Sequence, residues 1–163
     1  MLRIVLPSSL ERLLSMALKQ AGQRETGGIL MGEFLDSETY RVCDLTVQDY
    51  GGTPSSFVRA LPGVPRKLKR FFRRTKHDYT RFNYLGEWHS HPSYPTIPSP
   101  HDSETMWDIV QDPRVGANFA VLLIVRLGEC SQVEGDAYLY TPMRCMCKVS
   151  VVKEEIVDCL QSK

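Results

Sequence analysis

Apolar positions recur along the chain at helical spacing in some stretches and as short strand-like runs in others. The first stretch predicts a helix that is capped by Ser8 or Ser9 after Pro7 and ends at Gly22. Its buried side is formed by apolar residues three or four positions apart, namely Leu10, Leu13, Leu14, Ala17 and Leu18. A second helix is predicted over 66–82, with Leu68, Phe71 and Phe72 buried, and a third from Ser99 to Gln111.

Short apolar runs between turn residues predict the strands. They cover 25–35, 40–47, 56–60, 83–89, 119–127, 137–140 and 146–153. The strongly apolar run 119–127 is typical of a central strand, whereas four prolines in 92–100 exclude a helix or a central strand there. The segment 49–56 has the composition of a surface loop. Strands interspersed with helices predict one mixed α/β domain over 1–163.

The composition is that of an ordinary globular protein, and it does not indicate a function. The 163 residues carry 42% apolar and 24% charged residues, an ordinary globular balance, and a net charge of +1 that favours no partner by itself. Five scattered cysteines do not resemble a disulfide framework. No secretory signal is visible, and the longest apolar run, 119–125, is far too short to span a membrane. We therefore expect a cytoplasmic protein with no membrane partner.

Potential metal ligands are concentrated between positions 87 and 102. His89 and His91 are two residues apart on a predicted strand, so their imidazoles project from the same face. Asp102 follows the proline-rich excursion and lies in the first turn of the predicted third helix, from which its carboxylate can reach the histidines. Two histidines and one aspartate leave a tetrahedral Zn²⁺ with one open position for water, which is typical of a catalytic site. Zinc lowers the pKa of that water to about 7.

Amide hydrolysis also requires a group that moves protons and a group that stabilises the oxyanion. Glu25 is our candidate for proton transfer because it precedes a glycine pair that permits close approach of other backbone. Ser99 is our candidate hydrogen-bond donor to the oxyanion. Simpler interpretations remain open: Ser99 and Asp102 also form a capping-box pattern, Glu25 is also compatible with a surface charge, and Glu87 is a rival for the catalytic glutamate.

These residues together resemble a known motif. His89-Ser-His-Pro, followed by Ser99-x-x-Asp102 and preceded by Glu25 in Glu-Thr-Gly-Gly-Ile-Leu-Met-Gly, is similar to the JAMM motif of JAB/MPN-domain metalloproteases. The resemblance implies a cytidine-deaminase-like fold, a curved mixed β-sheet packed between helices. It implies His89, His91 and Asp102 as ligands of a single zinc ion. It implies Glu25 as general acid/base and Ser99 as oxyanion helper.

The sequence around the two histidines looks like that of small stand-alone bacterial JAB proteins. That resemblance implies an isopeptidase that deconjugates a ubiquitin-like protein, or a conjugated cyclic-oligonucleotide synthase of an antiphage (CBASS) operon, from target lysines, or trims a precursor tail. Activating and conjugating enzyme homologues would act in the same pathway. We expect an extended substrate tail to lie along a strand edge near 49–56 or 56–60.

Two other features allow different functions. The basic run over 66–81 could contact nucleic acid or an acidic protein, although the solvated face of an amphipathic helix is the simpler interpretation and nucleic acid is not our expected partner. Cys145 and Cys147 could form a second metal site, but they have no neighbouring ligand pair. The alternative functions are therefore a non-catalytic MPN-type interaction module or a nucleic-acid-associated protein.

Overall fold

Seven strands and three helices are present in the computed structural model, which describes residues 2–47 and 66–154. The helices are α1 (Ser8–Ala21), α2 (Arg66–Arg74) and α3 (Pro100–Gln111). The strands are β1 (Arg3–Pro7), β2 (Gly27–Asp36), β3 (Thr39–Leu45), β4 (Phe82–Ser90), β5 (Ala120–Leu127), β6 (Val133–Tyr140) and β7 (Met146–Glu154). The expected mixed α/β class is confirmed.

The strands form one mixed sheet in the order β1-β3-β2-β4-β5-β6-β7, and the sheet closes on itself. Closure depends on β1, which pairs in parallel with both β3 and β7. The strands β4 and β5 are also parallel, whereas the other neighbours are antiparallel. Strand β1 was not predicted, so the expectation of a curved sheet was right but its closure was missed.

The central position predicted for 119–127 is confirmed by β5, which is buried on both faces. Val121, Leu123 and Val125 point into the core that contains α1, while Leu122 and Ile124 point to the opposite face, where α3 packs. This alternation follows from the two-residue period of a strand. The same alternation on β2 directs Leu30 to the α1 side and leaves Ile29 and Met31 to pack with α2.

The second helix is shorter than predicted. It ends at Arg74, because the Thr75 hydroxyl donates to the carbonyl of Phe71 at 3.1 Å and the His77 amide donates to the carbonyl of Phe72 at 2.8 Å. Lys76 and His77 then adopt positive φ angles of 55° and 58°, which turn the chain away from the helix axis. No glycine or proline marks this end in the sequence, so the prediction of a helix over 66–82 is wrong after residue 74.

The first helix also differs at its start. Pro7 occupies the N-cap position, and no side chain caps the helix. The Ser8 hydroxyl instead donates to the backbone carbonyl of Glu154 in β7, so the predicted Ser8 or Ser9 cap is wrong. The predicted end is confirmed, since Gly22 follows the helix at φ 62° and its amide donates to the carbonyl of Leu18.

Two predicted segments, the loop 49–56 and the strand 56–60, lie outside the described residues. The proline-rich segment between β4 and α3 contains neither helix nor strand over 92–99, as predicted, whereas Pro100 is already the first residue of α3. None of the helices in the described residues combines the length and the apolar content needed to cross a bilayer.

Candidate metal centre

The two histidines of the motif lie side by side at the carboxyl end of β4. His89 pairs with Gly27 of β2 and Ile124 of β5, on the face of the sheet that carries α3. His91 directly follows the strand, and its amide donates to the carbonyl of Val125 at 2.9 Å. Both side chains are buried, and their Nε2 atoms are 3.0 Å apart. The strand therefore aims two imidazole nitrogens at one point.

Asp102 supplies a carboxylate to the same point from the first turn of α3. Its Oδ1 is 3.8 Å from Nε2 of His89, and its Oδ2 is 3.9 Å from Nε2 of His91. The ligand atoms of the three residues all lie within 4.8 Å of one another. Among the described residues this is the only cluster of three or more His, Cys, Asp or Glu side chains with such spacing. Residues separated along the chain by the proline-rich segment thus converge.

A capping box holds the Asp102 carboxylate in place. The Asp102 amide donates to Oγ of Ser99 at 3.1 Å, and the Ser99 amide donates to Oδ2 of Asp102 at 2.7 Å. The structural interpretation of Ser99-x-x-Asp102 and the metal-site interpretation are therefore compatible, since the cap orients the carboxylate that faces the histidines. Oγ of Ser99 accepts this bond, so its own proton stays available for donation.

The protonation states of the histidines suit metal binding. Burial lowers the pKa of His89 to about 4, so its imidazole is neutral at pH 7. Nδ1 of His91 lies 2.7 Å from the carbonyl oxygen of Pro95, which can only accept a hydrogen bond. Nδ1 of His91 must therefore carry a proton, which leaves its Nε2, the nitrogen that faces the cluster, as the ligand atom. Two imidazoles and one carboxylate fit a divalent ion such as zinc.

A set of contacts to β6 supports the carbonyl that orients His91. Thr96 follows Pro95, and its hydroxyl donates to Oδ2 of Asp136 at 2.6 Å. The Tyr138 hydroxyl donates to the carbonyl of Thr96 at 3.0 Å. We call Thr96, Asp136 and Tyr138 the β6 latch. The latch was missed in the sequence, because nothing local to the motif signals a contact across about 40 residues.

A cleft of about 430 Å³ opens in front of the cluster. Glu25 and Ser99 line it together with His91 and Asp102. The Glu25 side chain is exposed to solvent at this opening, just before β2. The structure thus brings both predicted catalytic residues to the cleft, while their catalytic roles stay predictions.

The second glycine of the pair after Glu25 allows β2 to approach Thr46 closely. A Cβ at Gly28 would lie 2.0 Å from the Thr46 carbonyl oxygen. That carbonyl accepts the indole N–H of Trp88 at 2.8 Å, and the Thr46 hydroxyl accepts the Ile29 amide at 2.9 Å. The close approach expected from the glycine pair is therefore present, and it fixes the start of β2 beside Glu25.

Glu87, the rival glutamate, is buried away from the cleft. Its side chain is 1% exposed, and burial raises its pKa to about 8. Its Oε1 has no hydrogen-bond partner in the part of the chain that the structure describes, and neither has the hydroxyl of Tyr84. Glu87 therefore does not line the opening where a substrate would enter, unlike Glu25.

The remaining candidates lie outside the cluster. Cys145 and Cys147 are exposed and belong to no group of ligands within the described residues, so a second metal site gains no support. His101 is exposed at the rim of the cleft. Trp88 is fully buried, whereas Trp107 is only partly buried against the α3 core.

Comparisons with solved structures agree with this fold. A protein from Desulfitobacterium hafniense, solved in solution, superposes with a TM-score of 0.59 at 19% identity, over 95% of each chain. A second solution structure, from Salinibacter ruber, gives a TM-score of 0.54 at 16% identity, over 96% of this chain and 95% of the other. At such identities the likeness concerns the fold alone.

Comparisons of sequence identify the family. A curated protein of Enterobacter hormaechei subsp. hoffmannii (strain UCI 50), named CD-NTase/cGAS isopeptidase, is 33% identical over 109 residues. The aligned part is 65% of this chain and 57% of that relative, so the chain matches little more than half of the relative's length. The family model for prokaryotic homologs of the JAB domain matches residues 7–138, which include the whole candidate metal centre. The chain therefore belongs to the prokaryotic JAB-domain family.

Proposed function

We propose that the protein is a zinc-dependent isopeptidase that cuts after the carboxyl-terminal residue of a protein tail. The observation that carries this proposal is the convergence of His89, His91 and Asp102 beside a cleft that Glu25 and Ser99 line. A zinc ion held by these three ligands would act as a Lewis acid and activate water at neutral pH. Membership of the JAB-domain family supports the same class of reaction.

Two residues of the cleft, Glu25 and Ser99, are assigned the proton transfer and the stabilisation of the oxyanion. The Glu25 carboxylate takes a proton from the attacking water as the C–O bond forms, and then passes it to the departing lysine amine as the C–N bond breaks. The hydroxyl of Ser99 donates to the oxyanion, since its oxygen already accepts the Asp102 amide and its proton is available. The two buried histidines serve as ligands and are assigned no part in proton transfer.

The substrate we propose is a conjugated cyclic-oligonucleotide synthase (CD-NTase). The alternative substrate is a ubiquitin-like protein cut after its tail. The name of the Enterobacter relative supports the first, although the match covers only part of that protein. Activating and conjugating enzyme homologues would be pathway partners, and bacterial antiphage defence in the cytoplasm would be the setting. The substrate, the pathway partners and the setting stay predictions.

The experiment uses a CD-NTase with a reporter protein fused after its C-terminal residue. The zinc-loaded chain should release the reporter, a chelator should stop the reaction, and added zinc should restore it. Glu25→Ala should keep zinc but lower the rate by about 10²–10⁴, the usual contribution of a general acid/base. His91→Ala and Asp102→Ala should lose zinc and activity together.

Glu129→Ala is the matched control, because Glu129 is also an exposed glutamate but lies outside the cleft, between β5 and β6. It should keep both zinc and cleavage. Full cleavage by Glu25→Ala, or full zinc affinity in Asp102→Ala, would contradict the assigned roles. If no variant, including the wild type, releases the reporter, the proposed substrate is wrong.

A further inference from the structure

Most of the basic run over 66–81, to which the metal centre gives no role, lies in α2. The helix carries six Lys and Arg residues in nine positions and no acidic residue. The chain as a whole has 20 basic and 19 acidic residues, so 14 basic against 19 acidic residues remain outside α2, a net charge of −5. The net charge of the whole chain is therefore near zero only because a strongly basic helix offsets the negative net charge of the other residues.

Helix geometry separates these cations into two groups. Leu68 and Phe71 are buried against β2. Lys67 and Arg74 lie beside this stripe and share the carboxylate of Asp44, at 3.5 and 3.4 Å. The other four cations occupy an arc of about 100° opposite the buried stripe and extend about 10 Å along the axis. They are Arg66, Lys69, Arg70 and Arg73.

We call these four residues the α2 basic face. All four are exposed, and none forms an ion pair with any residue in 2–47 or 66–154. A cluster of four like charges on one helix face is mutually repulsive, and a neighbouring anion would relieve that repulsion. The surface is therefore complementary to a compact acidic patch.

The helix α2 packs on the same face of the sheet as the candidate metal centre. Ile29, which packs with Leu68 and Phe71, is two residues from Gly27, and Gly27 pairs with His89. Two residues of a strand span about 7 Å. Both α2 and His89 lie on the face of the sheet opposite α1. A folded domain is about 30 Å across, so the body of a protein whose tail enters the cleft is large enough to reach α2.

We propose that the α2 basic face docks an acidic patch on the folded body of the protein whose tail is cut, an inference that rests on the proposed function. The occupant is a protein and not a nucleic acid for two reasons. The basic face contains no aromatic residue for base stacking, since Phe71 is buried and Phe72 packs against Tyr79 at 5.0 Å between ring centroids. The net −5 of the remaining chain would also repel a long polyanion.

The test compares two substrates that share one tail. The first is a full CD-NTase fused to a reporter, and the second is the CD-NTase tail alone fused to the same reporter. The variant is Arg70→Glu/Arg73→Glu, and the matched control is Arg12→Glu/Lys19→Glu on α1, two exposed cations with no ion pair among the described residues. The value of kcat/KM is measured for the wild type, the variant and the control on each substrate, at low and at high salt.

Docking predicts that the α2 variant loses about tenfold in kcat/KM on the full fusion, chiefly through KM, and nothing on the tail fusion. High salt should lower the wild-type kcat/KM on the full fusion and shrink this difference, and the α1 control should match the wild type. Equal effects on both substrates, or no effect on either, would overturn the inference while leaving the proposed function intact.

Two further outcomes would assign a different role to α2 or to the whole protein. Tight, salt-sensitive binding of a 20-base-pair duplex DNA that the α2 variant abolishes would identify a nucleic-acid surface and overturn docking of a protein. A wild-type chain that cuts neither fusion would overturn the proposed substrate, and this inference with it. Equal unfolding temperatures of the two charge variants confirm that folding is not the cause of a lost activity.

Discussion

Replacing Tyr138 with Phe tests whether the β6 latch controls the metal centre. The change removes one hydroxyl and keeps the aromatic ring, which packs with Leu122 and Ile124 in the α3 core. The lost contact is the 3.0 Å hydrogen bond to the Thr96 carbonyl. Thr96 follows Pro95, whose carbonyl fixes the proton on Nδ1 of His91. We therefore expect the variant to bind zinc more weakly without touching a ligand.

The size of the effect follows from the bonds that remain. One neutral hydrogen bond contributes about 1 kcal/mol, which corresponds to about fivefold in zinc affinity if all of it is expressed at His91. The bond from Thr96 to Asp136 still anchors the segment in Tyr138→Phe. Thr96→Val removes that bond to a charged acceptor and should cost about tenfold or more. The value for Thr96→Val falls in the 10–100-fold range for residues that orient metal ligands, and the value for Tyr138→Phe lies below that range because a second bond still anchors the segment.

The assay is competition for zinc with a chromophoric chelator, together with urea unfolding of the metal-free protein. Tyr79→Phe is the matched control, because the Tyr79 hydroxyl bonds to Nδ1 of His77 at 2.8 Å, in the turn region after α2 and away from the cleft. It should bind zinc as the wild type does. If Tyr138→Phe loses about 1 kcal/mol of unfolding free energy but no zinc affinity, the latch only stabilises the loop, and our reasoning about His91 is refuted.

Two further predictions concern stability. Gly28→Ala places a methyl group 2.0 Å from the Thr46 carbonyl, so we expect a loss of about 2–4 kcal/mol in unfolding free energy by urea titration, and a loss below 1 kcal/mol would contradict the close approach. Burial raises the pKa of Glu87 to about 8, so between about pH 4.5 and 8 the folded state holds a proton that the unfolded state has released. The unfolding free energy of the metal-free protein should therefore fall as pH rises through this range. In Glu87→Gln the unfolding free energy should depend less on pH over this range. An unchanged pH profile in that variant would show that Glu87 does not cause the loss of stability.

The parts of the site that the sequence predicted are those whose geometry is local. Two histidines at i and i+2 share a strand face whatever the rest of the chain does, and the first turn of a helix after Ser99 has a standard shape. The continuous apolar run of β5 was equally readable, because apolar residues at successive positions of a strand predict burial on both faces. Such features need no knowledge of distant partners.

The parts that were missed depend on residues far apart in the chain. Ser8 is a good capping residue by type, but its hydroxyl bonds to the carbonyl of Glu154, which only a closed sheet brings near. The end of α2 at Arg74 depends on a Thr75 side chain and two positive φ angles, for which no glycine was present as a signal. The end of α2 is thus an exception, because its contacts are local, yet nothing in the sequence signals them and propensity alone continues the helix.

The candidate metal centre shows why one motif can satisfy two demands at once. The capping box needs a carboxylate at Asp102 to accept the Ser99 amide, and the metal needs the same carboxylate facing the histidines. The capping box at the start of α3 therefore also positions the Asp102 carboxylate as a metal ligand. The proline-rich segment needs only to hold the start of α3 near the end of β4. That segment is held by Thr96, Asp136 and Tyr138, so zinc affinity should respond to residues that touch neither zinc nor its ligands.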